Sequence, residues 1–146
     1  MKHTQGRQGR VFVLRFEHGD DFNLELEKFA VKKKIAAGFI TFLGALHKGE
    51  MAAGPKKPVI PPQPNWLKFD GAWEVFGTGS LFTGKKGEKY VHLHTSMGKN
   101  KRTITGCLRK NVKVFMVIEA LLVEVKGAKA SKGIDAASGL NMLKIG

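Results

Sequence analysis

Short runs of β-branched and aromatic residues dominate this chain, and only one segment has the spacing of an amphipathic helix. Runs such as Val11–Phe16 are typical of buried strands, because they are short and rich in residues that pack well on a pleated surface. Helical patterns do not alternate with these runs. The sequence therefore predicts an α+β fold with five to seven strands in a mostly antiparallel sheet.

The one predicted helix spans about residues 20–34. Phe22, Leu26 and Phe29 recur at helical spacing, and Asp20 and Asp21 are residue types that commonly cap the start of a helix. Acidic residues crowd its first turn and three consecutive lysines its last. This distribution favours a helix because it complements the helix dipole.

The remaining periodic segments are assigned to strands by their alternation or their apolar character. Strands are predicted at residues 11–16, 38–46, 66–69, 73–82, 90–95, 103–108 and 112–125. Residues 84–87 form a predicted turn. Residues 50–64 hold all five prolines and are predicted to form a long exposed loop, while residues 127–146 are predicted to be an irregular tail.

The length of 146 residues suits one domain. We expect a flexible basic arm over residues 1–9, followed by a single domain over residues 10–146. No run of 18 apolar residues occurs, so a membrane-spanning helix and a membrane partner are not expected. The N-terminus lacks the apolar core of a secretory signal, and the single cysteine, Cys107, excludes an internal disulfide. These features predict a cytoplasmic protein.

The charge balance is strongly basic, with 25 lysines and arginines against 12 acidic residues and a net charge of +13. Such an excess attracts polyanions at long range, and nucleic acid is the first candidate partner. An anionic membrane surface, an acidic protein partner or a simple solubility role are alternatives that composition leaves open. The predicted partner is duplex DNA, bound through phosphates with weak sequence preference.

Cationic residues are concentrated in the second half of the chain and near its start. The predicted nucleic-acid-binding residues are Arg7, Arg10, Lys85, Lys86, Lys99, Lys101, Arg102, Arg109 and Lys110. Several of them fall at predicted turns, where long cationic side chains can reach phosphates without reading bases. The alternative interpretation is an ordinary solvated face.

His92 and His94 alternate along a predicted strand, with Cys107 downstream across a basic turn. Alternate residues of a strand face the same side, about 6.6 Å apart along it, so both imidazoles can reach one ion. A hairpin would place Cys107 beside them. Two nitrogens and one sulfur suit zinc and leave a fourth position for water or a ligand. A solvent-facing histidine pair and a packed cysteine remain the alternatives at the level of spacing.

Taken in order, several motifs resemble the PPC family (plants and prokaryotes conserved, also called DUF296), over about residues 10–143. They are the strand, helix and strand of residues 11–46, ending in Phe39-Ile40-x-x-Leu43-Gly44-Ala45, then Trp73-Glu74-Val75-Phe76-Gly77-Thr78-Gly79-Ser80, His92-Leu93-His94, Gly106-Cys107-Leu108, Ile134-Asp135 and Ser138-Gly139-Leu140. The resemblance implies a compact α+β unit with an antiparallel sheet and, for prokaryotic members, a homotrimer.

The resemblance also implies candidate functions. Plant members join the domain to AT-hooks and bind AT-rich DNA, and prokaryotic members are called DNA-binding by analogy. Several prokaryotic members resemble zinc proteins, with the metal on the His-x-His pair and a later histidine. That role transfers to His92 and His94 directly, and to Cys107 by substitution, since this chain has Gly-Cys-Leu where the family has Gly-His-Leu. Lys132 stands where the family often has arginine.

Two functions are therefore expected from the sequence. The first is a small basic DNA-binding protein of the regulatory or nucleoid kind. The second is a zinc-dependent enzyme or small-molecule binder with an open site at His92, His94 and Cys107. No nucleophile elbow or complete phosphate-binding loop is present, which favours binding over catalysis.

Overall fold

A computed structural model describes all of residues 1–146. Its elements in chain order are β1 (Arg7–Glu17), α1 (Phe22–Lys32), β2 (Ala37–Pro55), β3 (Pro64–Thr83), β4 (Lys89–Lys99), β5 (Arg102–Lys126), β6 (Ala130–Ile134) and β7 (Asn141–Ile145). Seven strands and one helix confirm the predicted α+β class. No helix of the structure is both long enough and apolar enough to cross a bilayer.

The helix α1 lies where the sequence predicts it, two residues shorter at each end. Asp21 caps it by accepting a hydrogen bond from the Leu24 amide. Phe22, Leu26 and Ala30 form its fully buried stripe. The Phe22 ring packs edge-on against Phe42 of β2, which fixes the helix on one face of the sheet.

The main sheet has five antiparallel strands in the order β1-β5-β2-β3-β4, as predicted for the class. The 25-residue strand β5 organises it, since its C-terminal half pairs with β1 and its N-terminal half pairs with β4. It also pairs with β2 along most of its length. Because β4 joins both β3 and β5, the sheet closes on itself near the β4–β5 hairpin.

The strands are longer than predicted. Residues 66–69 and 73–82 are parts of one strand, β3, and residues 103–108 and 112–125 are parts of β5. Polar residues and glycines interrupt the pattern of both strands and suggested strand ends. The pairing with β2 nevertheless continues past these interruptions through register shifts. A β-bulge lets pairing continue past an unpaired residue, so a local break in pattern does not end a strand.

Two other predictions are wrong. The loop predicted for residues 50–64 is shorter, because β2 extends to Pro55 and β3 begins at Pro64. The predicted irregular tail holds a hairpin of β6 and β7, in which Ala130 lies opposite Ile145. Both segments are polar or proline-flanked, and their pairing comes from a partner strand that local pattern does not reveal. Residues 7–9 of the predicted arm lie in β1.

The two faces of the sheet differ in their surroundings. One face packs against α1 and holds a core cluster of 21 buried residues. The opposite face carries large apolar side chains in open solvent, which we call the exposed apolar face: Val13, Phe39, Leu43, Phe76 and Leu121. Val13 is 86% exposed and Phe76 is 68% exposed. Pairing of Val13 with Leu121 and of Leu43 with Phe76 makes these positions neighbours.

Candidate metal centre and basic surface

Alternation along β4 places His92 and His94 on one face and Leu93 and Thr95 on the other. Leu93 and Thr95 are buried against the core, which fixes the orientation of the strand. The two imidazoles lie side by side, with their Nε2 atoms 3.1 Å apart. Register continues this face across the sheet, since His92 lies opposite Ser80 and Ser80 lies opposite Phe39 of the exposed apolar face.

The β4–β5 hairpin brings Cys107 to the pair, as the spacing predicts. His94 and Cys107 are directly opposite each other in the register of the two strands. The ligand atoms of His92, His94 and Cys107 all lie within 4.8 Å of one another. We call these three residues the His/His/Cys cluster. Cys107 is buried, His92 is half-buried and His94 is exposed, so the cluster opens toward solvent on one side.

Glycines on neighbouring strands allow this close packing. A Cβ atom at Gly79 of β3 would lie 2.5 Å from the His92 carbonyl oxygen, so any larger residue would push β4 away. Likewise, a Cβ atom at Gly106 would lie 2.6 Å from the Ala52 carbonyl oxygen of β2. Small residues at these two positions therefore hold the strands that carry the cluster at their observed spacing.

The surroundings of the cluster favour a neutral imidazole. Burial, as the largest cause, and the nearby His94, Lys132 and Arg109 together lower the pKa of His92 to about 4. His92 is consequently uncharged at neutral pH, and its imidazole can bind a cation in place of the Nε2–Nε2 hydrogen bond to His94. Burial raises the pKa of the Cys107 thiol, whereas Arg109 and Lys132 oppose that rise.

The donor set fits zinc. Tetrahedral zinc with Zn–N bonds near 2.0–2.1 Å places two ligand nitrogens roughly 3.4 Å apart. The two Nε2 atoms, 3.1 Å apart, are close to that separation. Imidazole and thiolate ligands favour zinc over magnesium or calcium, which prefer oxygen ligands. Three protein ligands also leave one coordination position open.

Two cations, Arg109 and Lys132, lie beside the cluster. Lys132 of β6 is 8% exposed and lies where β6 bridges to Gly84. Arg109 was predicted to contact phosphates, but it occupies a register shift in β5, between the positions that pair with Met51 and Glu50. Such bulges re-aim side chains. The two-residue spacing between Cys107 and Arg109 was the sequence signal that Arg109 lies near the cluster, because residues two apart share a face of a regular strand.

Six of the other predicted nucleic-acid-binding residues fall into two groups at opposite ends of the sheet. Arg7, Lys85 and Lys86 gather at one end of the sheet, where Arg7 pairs with Lys126 and the turn carrying Lys85 and Lys86 follows Thr83. The Thr83 amide donates to the Ala36 carbonyl oxygen, directly after the lysines that end α1. We call this surface the basic end: Arg7, Lys32, Lys33, Lys34, Lys85, Lys86 and Lys126.

Lys99, Lys101 and Arg102 lie at the opposite end of β4, at the β4–β5 turn. Because β4 has 11 residues, the two groups are separated by roughly 33 Å along the strand. Lys110 lies between them on β5, opposite Glu50. The cationic residues therefore do not form one continuous patch on a single chain.

Arg10 is engaged within the protein. Its guanidinium donates to both carboxylate oxygens of Glu124 at 2.8 Å and to the Lys33 carbonyl oxygen at 2.8 Å. The hydrogen bonds from Arg10 hold the pKa of the Glu124 carboxyl at about 2. Arg10 thus links β1, β5 and the end of α1 below the basic end.

A protein-family model matches most of the chain. The model of the Plants and Prokaryotes Conserved (PCC) domain matches residues 3–126, which is most of the chain. The chain belongs to this family. PCC is the family that the sequence motifs resemble, and the match covers α1, the whole main sheet and the His/His/Cys cluster, but not the β6–β7 hairpin. No curated protein matches the chain.

Solved structures share this fold. A metal-containing protein from Archaeoglobus fulgidus has a TM-score of 0.85 at 21% identity, with 99% of each chain covered. A plant- and prokaryote-conserved protein from Pyrococcus horikoshii has a TM-score of 0.78 at 21% identity, with 99% of this chain and 100% of that chain covered. A candidate DNA-binding protein from Ralstonia eutropha has a TM-score of 0.75 at 18% identity, with 92% and 90% covered.

Proposed function

We propose that this PCC-domain protein binds one zinc ion at His92, His94 and Cys107. The observation that carries the proposal is the pairing of His94 with Cys107, which brings three ligand atoms within 4.8 Å of one another. A shared fold with a metal-containing protein from Archaeoglobus fulgidus supports it. The substitution of cysteine for the family's usual histidine keeps a good zinc ligand at that position.

Because the cluster is open to solvent on one side, a zinc ion held there could also bind a ligand from solution. Zinc with a free position would act as a Lewis acid toward a bound oxygen or lower the pKa of a bound water to about 7. His92 and His94 would hold the ion from β4, while buried Cys107 would hold it from β5. The Ser80 hydroxyl lies opposite His92 but has no hydrogen bond to a histidine or carboxylate that would activate it, so we favour a small-molecule-binding role over an enzymatic one.

Metal content tests this proposal. Protein purified without chelator should contain about one zinc per chain by plasma mass spectrometry, and His94→Ala and Cys107→Ser should each lose it. His3→Ala is the matched control, because His3 is exposed near the N-terminus and far from the cluster in sequence. Metal-free wild-type protein that also fails to take up added zinc would refute the assignment.

We propose duplex DNA binding as a second function, favoured by the basic end. Seven lysines and arginines converge there, and Glu124, the acid buried beside them, is already paired with Arg10. The net charge of +13 and the fold shared with candidate DNA-binding proteins support the same partner. Such a surface contacts phosphates and carries little sequence preference.

Fluorescence anisotropy with two unrelated duplexes tests the DNA proposal. We expect similar affinities for both duplexes, and a larger loss for Lys85→Glu/Lys86→Glu than for Lys101→Glu/Arg102→Glu. The second pair is the matched control, because it reverses the same charge at the opposite end of β4. Equal losses of DNA affinity in the two double variants would refute the basic end as the docking surface. Absence of DNA binding by the wild-type protein at 50 mM salt would refute the proposed function.

We further propose that the chain assembles as a homotrimer through the exposed apolar face. Five large apolar side chains on one sheet face are an unusual surface for a monomer. A three-fold ring, in which a different surface of each neighbouring protomer covers this face, would bury them. Phe76→Lys should dissociate the assembly in light scattering coupled to size exclusion, while Lys101→Gln should not. A monomeric wild-type protein at micromolar concentration would contradict this assembly.

A further inference from the structure

The two cations beside the His/His/Cys cluster have no carboxylate partner in the chain. Lys132 is 8% exposed, yet neither it nor Arg109 takes part in any of the seven ion pairs of the structure. The ammonium group of Lys132 is not itself fully buried and lines a cavity, where it has no carboxylate counter-charge. Burial is also the first cause of the lowered pKa of Lys132. A chain that leaves such a charge unpaired has room there for an external anion.

Two cavities meet at this place. One, of about 340 Å³, is lined by His92, Arg109 and Lys132 together with Tyr90 and Asn141. The other, of about 330 Å³, is lined by His94, Cys107 and Arg109 together with Trp66. Arg109 and Leu140 belong to both linings, so the cavities adjoin on either side of the cluster. Their sizes are those of small-molecule sites.

The linings select the chemical class of ligand. Arg109 offers a planar fork of donors that suits a carboxylate or phosphate group, and Lys132 adds a point charge. Trp66, Leu140 and Met142 supply apolar wall on both sides of this charged centre. A bare inorganic ion would leave those walls unused. An anion with an apolar body would use both the cations and the walls.

We propose that this double cavity binds a small organic anion, whose carboxylate or phosphate group is held by Arg109 and Lys132 beside the His/His/Cys cluster. The inference rests on the proposed zinc site only in one respect: a bound zinc ion would make an additional contact with the organic anion. The cations and walls belong to the chain itself, so anion binding persists, more weakly, in metal-free protein.

Calorimetric titration with benzoate, phenyl phosphate and inorganic phosphate tests the proposal, with benzyl alcohol as the neutral control. The wild-type protein should bind benzoate or phenyl phosphate more tightly than inorganic phosphate, and should not bind benzyl alcohol measurably. Arg109→Gln and Lys132→Gln should each weaken the preferred anion at least tenfold. Lys110→Gln is the matched control, because it removes one charge from the residue next to Arg109, outside both linings.

Stability and rescue separate a binding role from a structural one. Lys132→Gln removes a cation that forms no ion pair with a carboxylate, so its melting temperature should equal or exceed that of the wild type, and Lys132→Arg, which keeps the charge, should retain anion binding. Wild-type protein that binds neither organic anion, or variants that bind as well as Lys110→Gln, would overturn the proposal.

Two further arms separate this inference from the proposed functions. Normal zinc content without anion binding would overturn the anion site alone, whereas anion binding by protein that never takes up zinc would overturn the metal centre alone. Phosphate could also come from a nucleic-acid backbone. A 20-base-pair duplex should fail to displace phenyl phosphate, because the buried Lys132 is out of reach of a rigid duplex, and full displacement would overturn the small-molecule assignment.

Discussion

The His/His/Cys cluster and the basic end are built in opposite ways from neighbouring strands. The cluster depends on strand register, which sets three ligand atoms within 4.8 Å of one another. The basic end depends on long, exposed side chains that follow strand and helix ends from four separate parts of the chain. The proposed metal centre is therefore a fixed arrangement of three side chains, whereas the proposed DNA-binding surface is a set of flexible ones.

The two regions should therefore respond differently to substitution. If the cluster binds zinc as proposed, each of its three residues supplies one ligand of a single coordination sphere, so one substitution should abolish binding. Each cation of the basic end contributes one contact among several, so its loss should be graded and dependent on salt.

Salt should separate the two regions most strongly. If six to ten phosphates are contacted, DNA affinity should fall by roughly 10³ to 10⁵ between 50 and 200 mM salt. Zinc content, measured on the same samples, should not change, because coordination by His92, His94 and Cys107 does not depend on screened charges. A DNA affinity that is insensitive to salt would contradict the phosphate-contact account.

Loss of one ligand should have the next largest effect. Cys107→Ser should weaken zinc binding by more than about 100-fold, since changes even to the partners of metal ligands cost 10- to 100-fold. Competition with a chromogenic chelator measures this loss. Lys85→Glu/Lys86→Glu should retain wild-type zinc affinity, and a parallel loss in that variant would mean that the regions are not independent.

Close packing between β3 and β4 should be the next most sensitive feature. Gly79→Ala would place a methyl group 2.5 Å from the His92 carbonyl oxygen, which should cost about 1–3 kcal/mol of unfolding free energy and weaken zinc binding. Gly98→Ala on β4 is the control, because its nearest neighbour would be 3.9 Å away. Urea unfolding measures both variants, and equal stabilities would show that the strands tolerate a wider spacing.

The ion pair below the basic end should give the smallest effect. The folded pKa of Glu124 is about 2 against an ordinary value of 4.5, so its contribution to stability is complete above pH 4.5 and is lost as pH falls toward 2. Glu124→Gln should cost about 1–2 kcal/mol at pH 7. It should also flatten the acid side of the stability profile.

Chemical unfolding between pH 2 and pH 7 measures that profile. Glu50→Gln is a suitable control, because the Glu50 carboxylate lies 3.8 Å from an exposed lysine and is only loosely paired. A Glu124→Gln profile with the same slope as the wild type would show that another group controls acid unfolding.

Local pattern was sufficient for the helix and for the proximity of His92, His94 and Cys107. The stripe of Phe22, Leu26 and Phe29 specifies α1 without reference to the rest of the chain. His92 and His94 share a face by strand alternation alone, and a short hairpin is enough to bring Cys107 to them. Each of these inferences spans fewer than about 20 residues, where sequence spacing determines geometry closely.

Features that depend on distant partners were not predictable in the same way. The β6–β7 hairpin and the full length of β2 exist because another strand pairs with them, although their own sequences are weak strand formers. Arg109 was grouped with the phosphate-binding cations because a register shift in β5 cannot be read from one strand. Lys132 reaches the cluster only through the contact of β6 with Gly84.

The measurement that tests the metal centre most directly is cobalt(II) substitution followed by absorption spectroscopy. Thiolate coordination gives an intense ligand-to-metal charge-transfer band, so the wild-type protein should develop this band and saturate at one cobalt per chain. His3→Ala should behave identically, while Cys107→Ser should lose the band. Saturation without a thiolate band, or an unchanged band in Cys107→Ser, would contradict the assignment of His92, His94 and Cys107 as the ligands.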